Sequence, residues 1–256
     1  MQKNFKVCLN EGRVQQELLL ILSISVLGPI IGSFIGVIKK PSERFMYNML
    51  AFAGGVMLSI SFLQLIPASI KLSSIFICVI GIIIGTLIMF FLDKLIPHIH
   101  PELSCQEHGR NLKRTSIFLI LGIFLHNIPE GMAIVLGSAT AVQASLVIAI
   151  AISVHNIPEG ICTSAPYYHE TKNRLKAFLL SSTTAIPIIV GFSIAYVLRN
   201  FISTTMIGLI VGATAGFMIY ITADEIIPTS CGEHTSHKTI LSLIIGILFV
   251  IILGAI

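Results

Sequence analysis

The sequence predicts an all-α membrane protein, a helical bundle of eight transmembrane helices built on an inverted 3+2+3 repeat. Three observations predict it. Of the 256 residues 55% are hydrophobic and 11% charged, with a mean hydropathy of +0.94, whereas a soluble domain carries roughly 25% charged residues. Apolar runs of about 20 residues, long enough to cross ~30 Å of hydrocarbon, recur along the whole chain. The second and seventh of these runs resemble each other although they cross in opposite directions, as in inverted-topology transporter repeats.

Residues 1–16 are the more polar start and are expected as an extracellular N-terminal segment, with the transmembrane domain filling 17–256. The first span, 17–38, has no small-residue cleavage site after a short apolar core, so it reads as a retained helix and not a cleaved signal. Spans follow at 46–66, 73–96, 115–139, 143–165, 176–198, 203–227 and 239–256, each bounded by charge, proline or polar clusters. Sorting the basic residues by alternating loops puts Lys39, Lys40, Arg44, Lys94, Arg110, Lys113, Arg114, Lys172, Arg174, Lys176 and Lys238 on one face. Only Lys3, Lys6, Arg13, Lys71 and Arg199 remain for the other. By the positive-inside rule the first face is cytoplasmic and both termini lie outside. A multi-pass protein of the plasma membrane is expected, its partners being the lipid bilayer and divalent metal ions, with a homodimer compatible with the bundle. Nucleic acid is excluded as a partner, because the net charge of +4 is scattered through short loops and forms no basic domain. The cysteines, Cys8, Cys78, Cys105, Cys162 and Cys231, show no CxxC pair and argue for no disulfide framework.

The long cytoplasmic linker 97–114 carries His98, His100, Glu102, Cys105, Glu107 and His108, and the next inner loop adds Cys231, Glu233, His234 and His237. Imidazole, thiol and carboxylate are ligands of zinc and its neighbours, so the loops read either as gatherers of metal or as solvated polar segments. The repeat lies between GGVMLSISFLQLIPAS at 54–69 and AGFMIYITADEIIPTS at 215–230, where Gly55, Met57, Ile66, Pro67 and Ser69 match Gly216, Met218, Ile227, Pro228 and Ser230.

The chemistry concentrates in two identical hexamers, HNIPEG at 126–131 and 155–160, each about twelve residues into its span and so near the midplane. In a helix His126 and Glu130 share a face, as do His155 and Glu159, and two facing helices would gather four ligands around one ion. An ionised carboxylate at the bilayer centre costs on the order of 2.5–3.5 kcal/mol. The only Lys or Arg within the spans, Lys94 and Lys176, lie at span ends, so none stands at mid-depth to offset it and a divalent metal answers both carboxylates. Zinc suits the set first, with iron, manganese and cadmium as alternative transported ions. Asn127 and Asn156 add neutral oxygens, while Gly131 and Gly160 permit close helix approach. Pro129 and Pro158 leave the Leu125 and Val154 carbonyls without helical partners and predict broken helix at mid-depth. HxxxE is not the HExxH of zinc proteases. The rivals are an intramembrane metal-dependent enzyme, for which no third acidic residue lies at mid-depth to serve as general base, and a metal sensor that does not translocate.

With eight spans, outside termini, a histidine-bearing loop between spans three and four, and HNxPEG in span four, the chain resembles the ZIP (Zrt/Irt-like) family of metal transporters, and most its GufA-type branch. The resemblance covers essentially the whole chain. It implies import of divalent metal through a two-metal centre between spans four and five, with His126, Asn127, Glu130, His155, Asn156 and Glu159 at ligand positions. It implies that Met57 completes the first metal's shell and that Asp224 and Glu225 form an exit site. It further implies that spans one, four, five and six move against spans two, three, seven and eight. Relatives often place Glu before the proline of span six and Asp where Asn156 stands. This chain has Ile186 before Pro187, so the resemblance implies a second metal position of lowered charge.

Overall fold

The computed structural model describes residues 2–38, 42–95, 112–137, 142–198, 201, 203–230 and 237–255, with backbone alone at 2–15, 112–119, 126 and 225 among others. These residues form eight membrane-length helical segments and no strand. They are α1 (Gln2–Ile38), α2 (43–72), α3 (Ile75–Leu95), α4 (Leu112–Gly137), α5 (Val142–Thr171), α6 (174–198), α7 (204–230) and α8 (His237–Gly254). Among the described residues seven of the eight are long and apolar enough to cross a membrane, and the remaining helix, α4, spans 26 residues. The chain is thus an integral multi-pass membrane protein. Each predicted span has its helix, and the helices run past several of the apolar runs because polar residues cap them. Ser42, Asn173 and Ser203 accept from the backbone amides of Phe45, Lys176 and Met206 and start α2, α6 and α7.

Four helix pairs pack most extensively: α1 with α5, α3 with α7, α2 with α8, and α4 with α6. Exchanging α1 with α6, α2 with α7, α3 with α8 and α4 with α5 maps this set onto itself, which is the 3+2+3 inversion expressed as packing. Glycine makes the pairs close. A Cβ on Gly55 of α2 would meet the Leu243 carbonyl of α8, and one on its repeat partner Gly216 of α7 would meet the Ile82 carbonyl of α3. The central helix is α5, in contact with α1, α2, α4 and α6, whereas α3 and α8 turn rows of large apolar side chains outward.

The repeat also shows in the winding. Both α2 and α7 contain a π turn, Ser61–Leu65 and Thr222–Ile226, one residue before the matched Ile-Pro. The Ile66 and Ile227 amides reach back five residues to the Ser61 and Thr222 carbonyls, and the wider turn accommodates the donor that Pro67 and Pro228 lack. In both halves the first residue of the turn back-bonds to a buried methionine's carbonyl, Ser61 to Met57 at 2.9 Å and Thr222 to Met218 at 2.7 Å.

Candidate metal site

α4 and α5 pack antiparallel: Ser145 donates to the Ile134 carbonyl, and further along the same seam His155 meets Glu130. Each hexamer's glycine is pressed by another helix. A Cβ on Gly131 would collide with the Ile188 carbonyl of α6, and one on Gly160 would stand 2.6 Å from the Pro29 carbonyl of α1. The hexamers are therefore backed by main chain, α4 by α6 and α5 by α1. Both helices run on through Pro129 and Pro158 without a change of winding. The broken helix expected from these prolines does not occur, because one missing amide is tolerated where neighbouring helices clamp both sides of the segment.

Glu130, His155, Asn127 and Asn156 are each fully buried, and Glu159 is 5% exposed. His155 Nδ1 lies 3.0 Å from the Ala151 carbonyl, and its Nε2 lies 2.9 Å from Glu130 Oε1. A carbonyl only accepts, so Nδ1 carries a hydrogen and fixes Nε2 as the nitrogen aimed at the carboxylate. Nε2 and Oε1 can approach to 2.9 Å only around a proton, held on the imidazole or on the carboxyl. A nitrogen oriented by a backbone carbonyl behind it is how metal-binding histidines are held. Zinc bonds of ~2.0–2.2 Å at a tetrahedral angle separate ligand atoms by about 3.4 Å. Loading this pair therefore means displacing its proton and widening the contact by roughly half an ångström.

The asparagines are oriented the same way. Asn127 Nδ2 donates to the Thr184 carbonyl of α6 at 2.7 Å, and Asn156 Nδ2 donates to Glu130 Oε2 at 3.3 Å. Each amide nitrogen thus faces a protein acceptor, and among the described residues no donor reaches Asn127 Oδ1 or Asn156 Oδ1. A buried carbonyl oxygen left this way costs about 1–3 kcal/mol, which a cation would recover. His155 thus makes a contact across the helix pair, from α5 to Glu130 of α4.

The remaining expectations fall unevenly. The side chains of His126 and Glu225 lie outside the described residues, as do His98, His100, His108 and His234. Among the described residues no three His, Cys, Asp or Glu side chains gather as a metal would require. Among the described side chains, Glu130 and His155 are brought into contact. His237 is exposed at the start of α8, and Asp224 is half-buried in the π turn of α7. Met57 is fully buried, and its sulfur lies 3.8 Å from the Thr222 hydroxyl of α7. No described contact joins it to Glu130 or His155.

Ile186 is a correction. It is 48% exposed, on the outward stripe of α6 with Ile189, Val190, Ile194 and Val197, so its side chain does not stand at a second metal position. The cause is the 3-10 turn Thr183–Ala185 that precedes it. Three residues at ~120° instead of ~100° advance the helical phase by about 60°. What α6 presents to the hexamers is the Thr184 carbonyl. Sequence reading also missed a hydroxyl cluster one turn beyond Glu159. There Thr163, Ser164 and Ser181 all donate to the Gly160 carbonyl, and Ser33 of α1 bonds Ser181 at 2.6 Å. The signal was present as Thr163-Ser164 and Ser181-Ser182 in apolar spans, where hydroxyls glue helices.

Comparison with known proteins gives concordant matches. The family model described as ZIP Zinc transporter matches residues 100–254. The chain is similar to Zinc transporter ZupT of Enterobacter sp. (strain 638), with 37% identity over 207 residues, 77% of this chain and 80% of the relative. Similarity to Zinc transporter ZupT of Escherichia coli O127:H6 is 38% identity over 207 residues with the same coverage.

Proposed function

Because the chain belongs to the ZIP family, we propose that it carries zinc through the His/Glu site between α4 and α5 and delivers it to the cytoplasm. The observation that carries the proposal is the fully buried Glu130–His155 contact, with Nε2 aimed by the Ala151 carbonyl and two asparagine oxygens left for a cation. The ligands would be Glu130, His155, Asn127 and Asn156, with Glu159 and His126 completing the set and Met57 as an accessory donor. Iron, manganese and cadmium would be weaker alternatives. The family is one of transporters, which sets the enzyme reading aside.

In the described state the site is sealed, since Asn127, Glu130, His155 and Asn156 have no exposure. Transport then requires α4 and α5 to shift against their neighbours, opening the site first to the outside and then inward, towards Asp224 and Glu225. The glycine-backed main-chain contacts support a unit of α1, α4, α5 and α6, because they join α5 to α1 and α4 to α6 while α2, α3, α7 and α8 pair among themselves. A plasma-membrane location, both termini outside, the 1–16 segment as an extracellular lead and the 97–114 loop as a cytoplasmic regulator complete the proposal, with a homodimer as its oligomer.

The test is zinc flux into liposomes reconstituted with the purified chain. Zinc should accumulate, and the variants Glu130→Ala and His155→Ala should abolish accumulation. A chain that binds zinc at these helices and moves none is a sensor, and the transport proposal fails.

A further inference from the structure

We infer that Thr184 is a positioning residue for the metal site, its main-chain carbonyl holding the Asn127 amide so that only the oxygen of Asn127 faces the ion. The inference rests on the proposed metal reading and adds what α6 does in it. Asn127 is fully buried and Thr184 is 2% exposed. Between them runs a 2.7 Å hydrogen bond from Nδ2 to the Thr184 carbonyl, and Oδ1 has no donor among the described residues. An amide is ambiguous by shape, and here a single acceptor decides which end points inward.

The acceptor exists because of the local winding. Pro187 offers no amide, the helix tightens to a 3-10 turn over Thr183–Ala185, and the α-helix restarts only at Ile186. The turn is held by side chains: Thr183 Oγ1 donates to the Leu180 carbonyl at 2.6 Å and Thr184 Oγ1 to the Ser181 carbonyl at 2.8 Å. Its distance from α4 is set by backbone contact on the next turn, where a Cβ on Gly191 would collide with the Ile128 carbonyl. The chain from Pro187 to turn, carbonyl and amide thus ends on a ligand oxygen with a neutral charge and a fixed direction.

The arrangement makes an uncommon prediction. If Asn127 were simply a neutral ligand, Asn127→Asp would add charge and tighten zinc. If the Thr184 carbonyl orients it, Asp places a second acceptor against that carbonyl, and zinc binding weakens by roughly 10-fold or more. Zinc affinity is measured by titration calorimetry on the purified full-length chain in detergent, for wild type, Asn127→Asp, Pro187→Ala and the double variant. Pro187→Ala restores an amide, draws the ladder through the turn and takes the carbonyl from residue 127. It should weaken zinc alone yet partly rescue Asn127→Asp, a reversal of sign that a general structural defect does not produce. Wild-type or tighter zinc binding by Asn127→Asp overturns the inference. So does unchanged affinity in Pro187→Ala, an arm that stands even if the Asp variant does not fold. A wild-type chain that binds no zinc overturns the metal reading itself.

Discussion

Glu130→Gln separates metal binding from folding at the centre of the site. Glutamine keeps the shape of the side chain. Its oxygen can accept from Asn156 Nδ2, now 3.3 Å from Glu130 Oε2, and its amide can donate to His155 Nε2, now 2.9 Å from Oε1, once that nitrogen has given up its proton. Nδ1 stays on the Ala151 carbonyl. The contacts described for the pair are then kept without a charge, so the loss of fold stability should stay near ~1 kcal/mol, the difference between charge-assisted and neutral hydrogen bonds. Zinc fares differently, because a dication in a sealed site loses one of its two compensating carboxylates. Removing one partner of a buried charge pair costs about 3–5 kcal/mol, and at 1.4 kcal/mol per decade zinc should bind roughly two to three and a half decades more weakly.

The same geometry fixes a proton count. The wild-type pair holds one proton between Nε2 and Oε1, zinc must displace it, and zinc affinity therefore falls as pH falls. Calorimetry in two buffers of different ionisation enthalpy should show about one proton released from this pair in the wild type and none from it in Glu130→Gln. Uptake of radiolabelled zinc into liposomes should be lost in the variant while its elution profile and melting are unchanged. A Glu130→Gln chain that binds zinc within threefold of wild type, or one that releases as many protons, would refute the assignment of this pair as ligands.

Three further outcomes follow from the packing. Gly131→Ala drives a Cβ into the Ile188 carbonyl; overpacking costs about 1–3 kcal/mol and should lower the melting temperature in detergent by several degrees, with Gly254→Ala, exposed at the end of α8, as a near-neutral control. Ile186→Glu puts a carboxylate on the outward stripe of α6 and should reduce membrane-inserted yield without raising zinc stoichiometry; tighter or additional zinc binding would place residue 186 back in the site. Thr222→Val removes a hydroxyl whose hydrogen goes to the Met218 carbonyl of its own helix at 2.7 Å, so fold stability should change by no more than about 1 kcal/mol, read as the melting temperature in detergent.

Span number and position were legible because hydropathy depends on composition alone, whereas the exact starts of α2, α6 and α7 are set by the caps Ser42, Asn173 and Ser203, which hydropathy does not read. The hexamers stood out in the sequence as the candidate site because carboxylates at mid-membrane without basic partners have few other uses. What one sequence could not show was rotation and winding. Spacing along a helix puts His155 and Glu159 on one face, but that His155 also reaches Glu130 depends on how α5 is turned against α4, and that is set by Gly160 seated on α1 and Gly131 on α6. Proline was the other ambiguity. Pro129 and Pro158 pass through regular helix, Pro67 and Pro228 follow wide π turns, and Pro187 follows a tight 3-10 turn. The missing amide is the same in all five, and the packing around each chooses the response. Ile186 was placed wrongly for this reason: the side chain before Pro187 was read at the phase of an uninterrupted helix.

The inverted repeat supplies two chemically identical hexamers, yet it does not give them identical support. Behind α4 stands α6, which offers the bare carbonyls of Thr184 and Ile188. Behind α5 stands α1, and with it the cluster of Ser33, Thr163, Ser164 and Ser181 that saturates the Gly160 carbonyl. The α4 hexamer is therefore held by an acceptor that reaches the Asn127 side chain, and the Gly160 carbonyl of the α5 hexamer by hydroxyl donors. Asn127 is fixed by α6, whereas Asn156 donates to Glu130, which on the proposed assignment would give up its present partners on binding metal. On the proposed ligand assignment the symmetric halves would differ in which groups hold still during loading: the Asn127 oxygen would be set in advance, and the Glu130, His155 and Asn156 group would be the part that rearranges around an arriving ion.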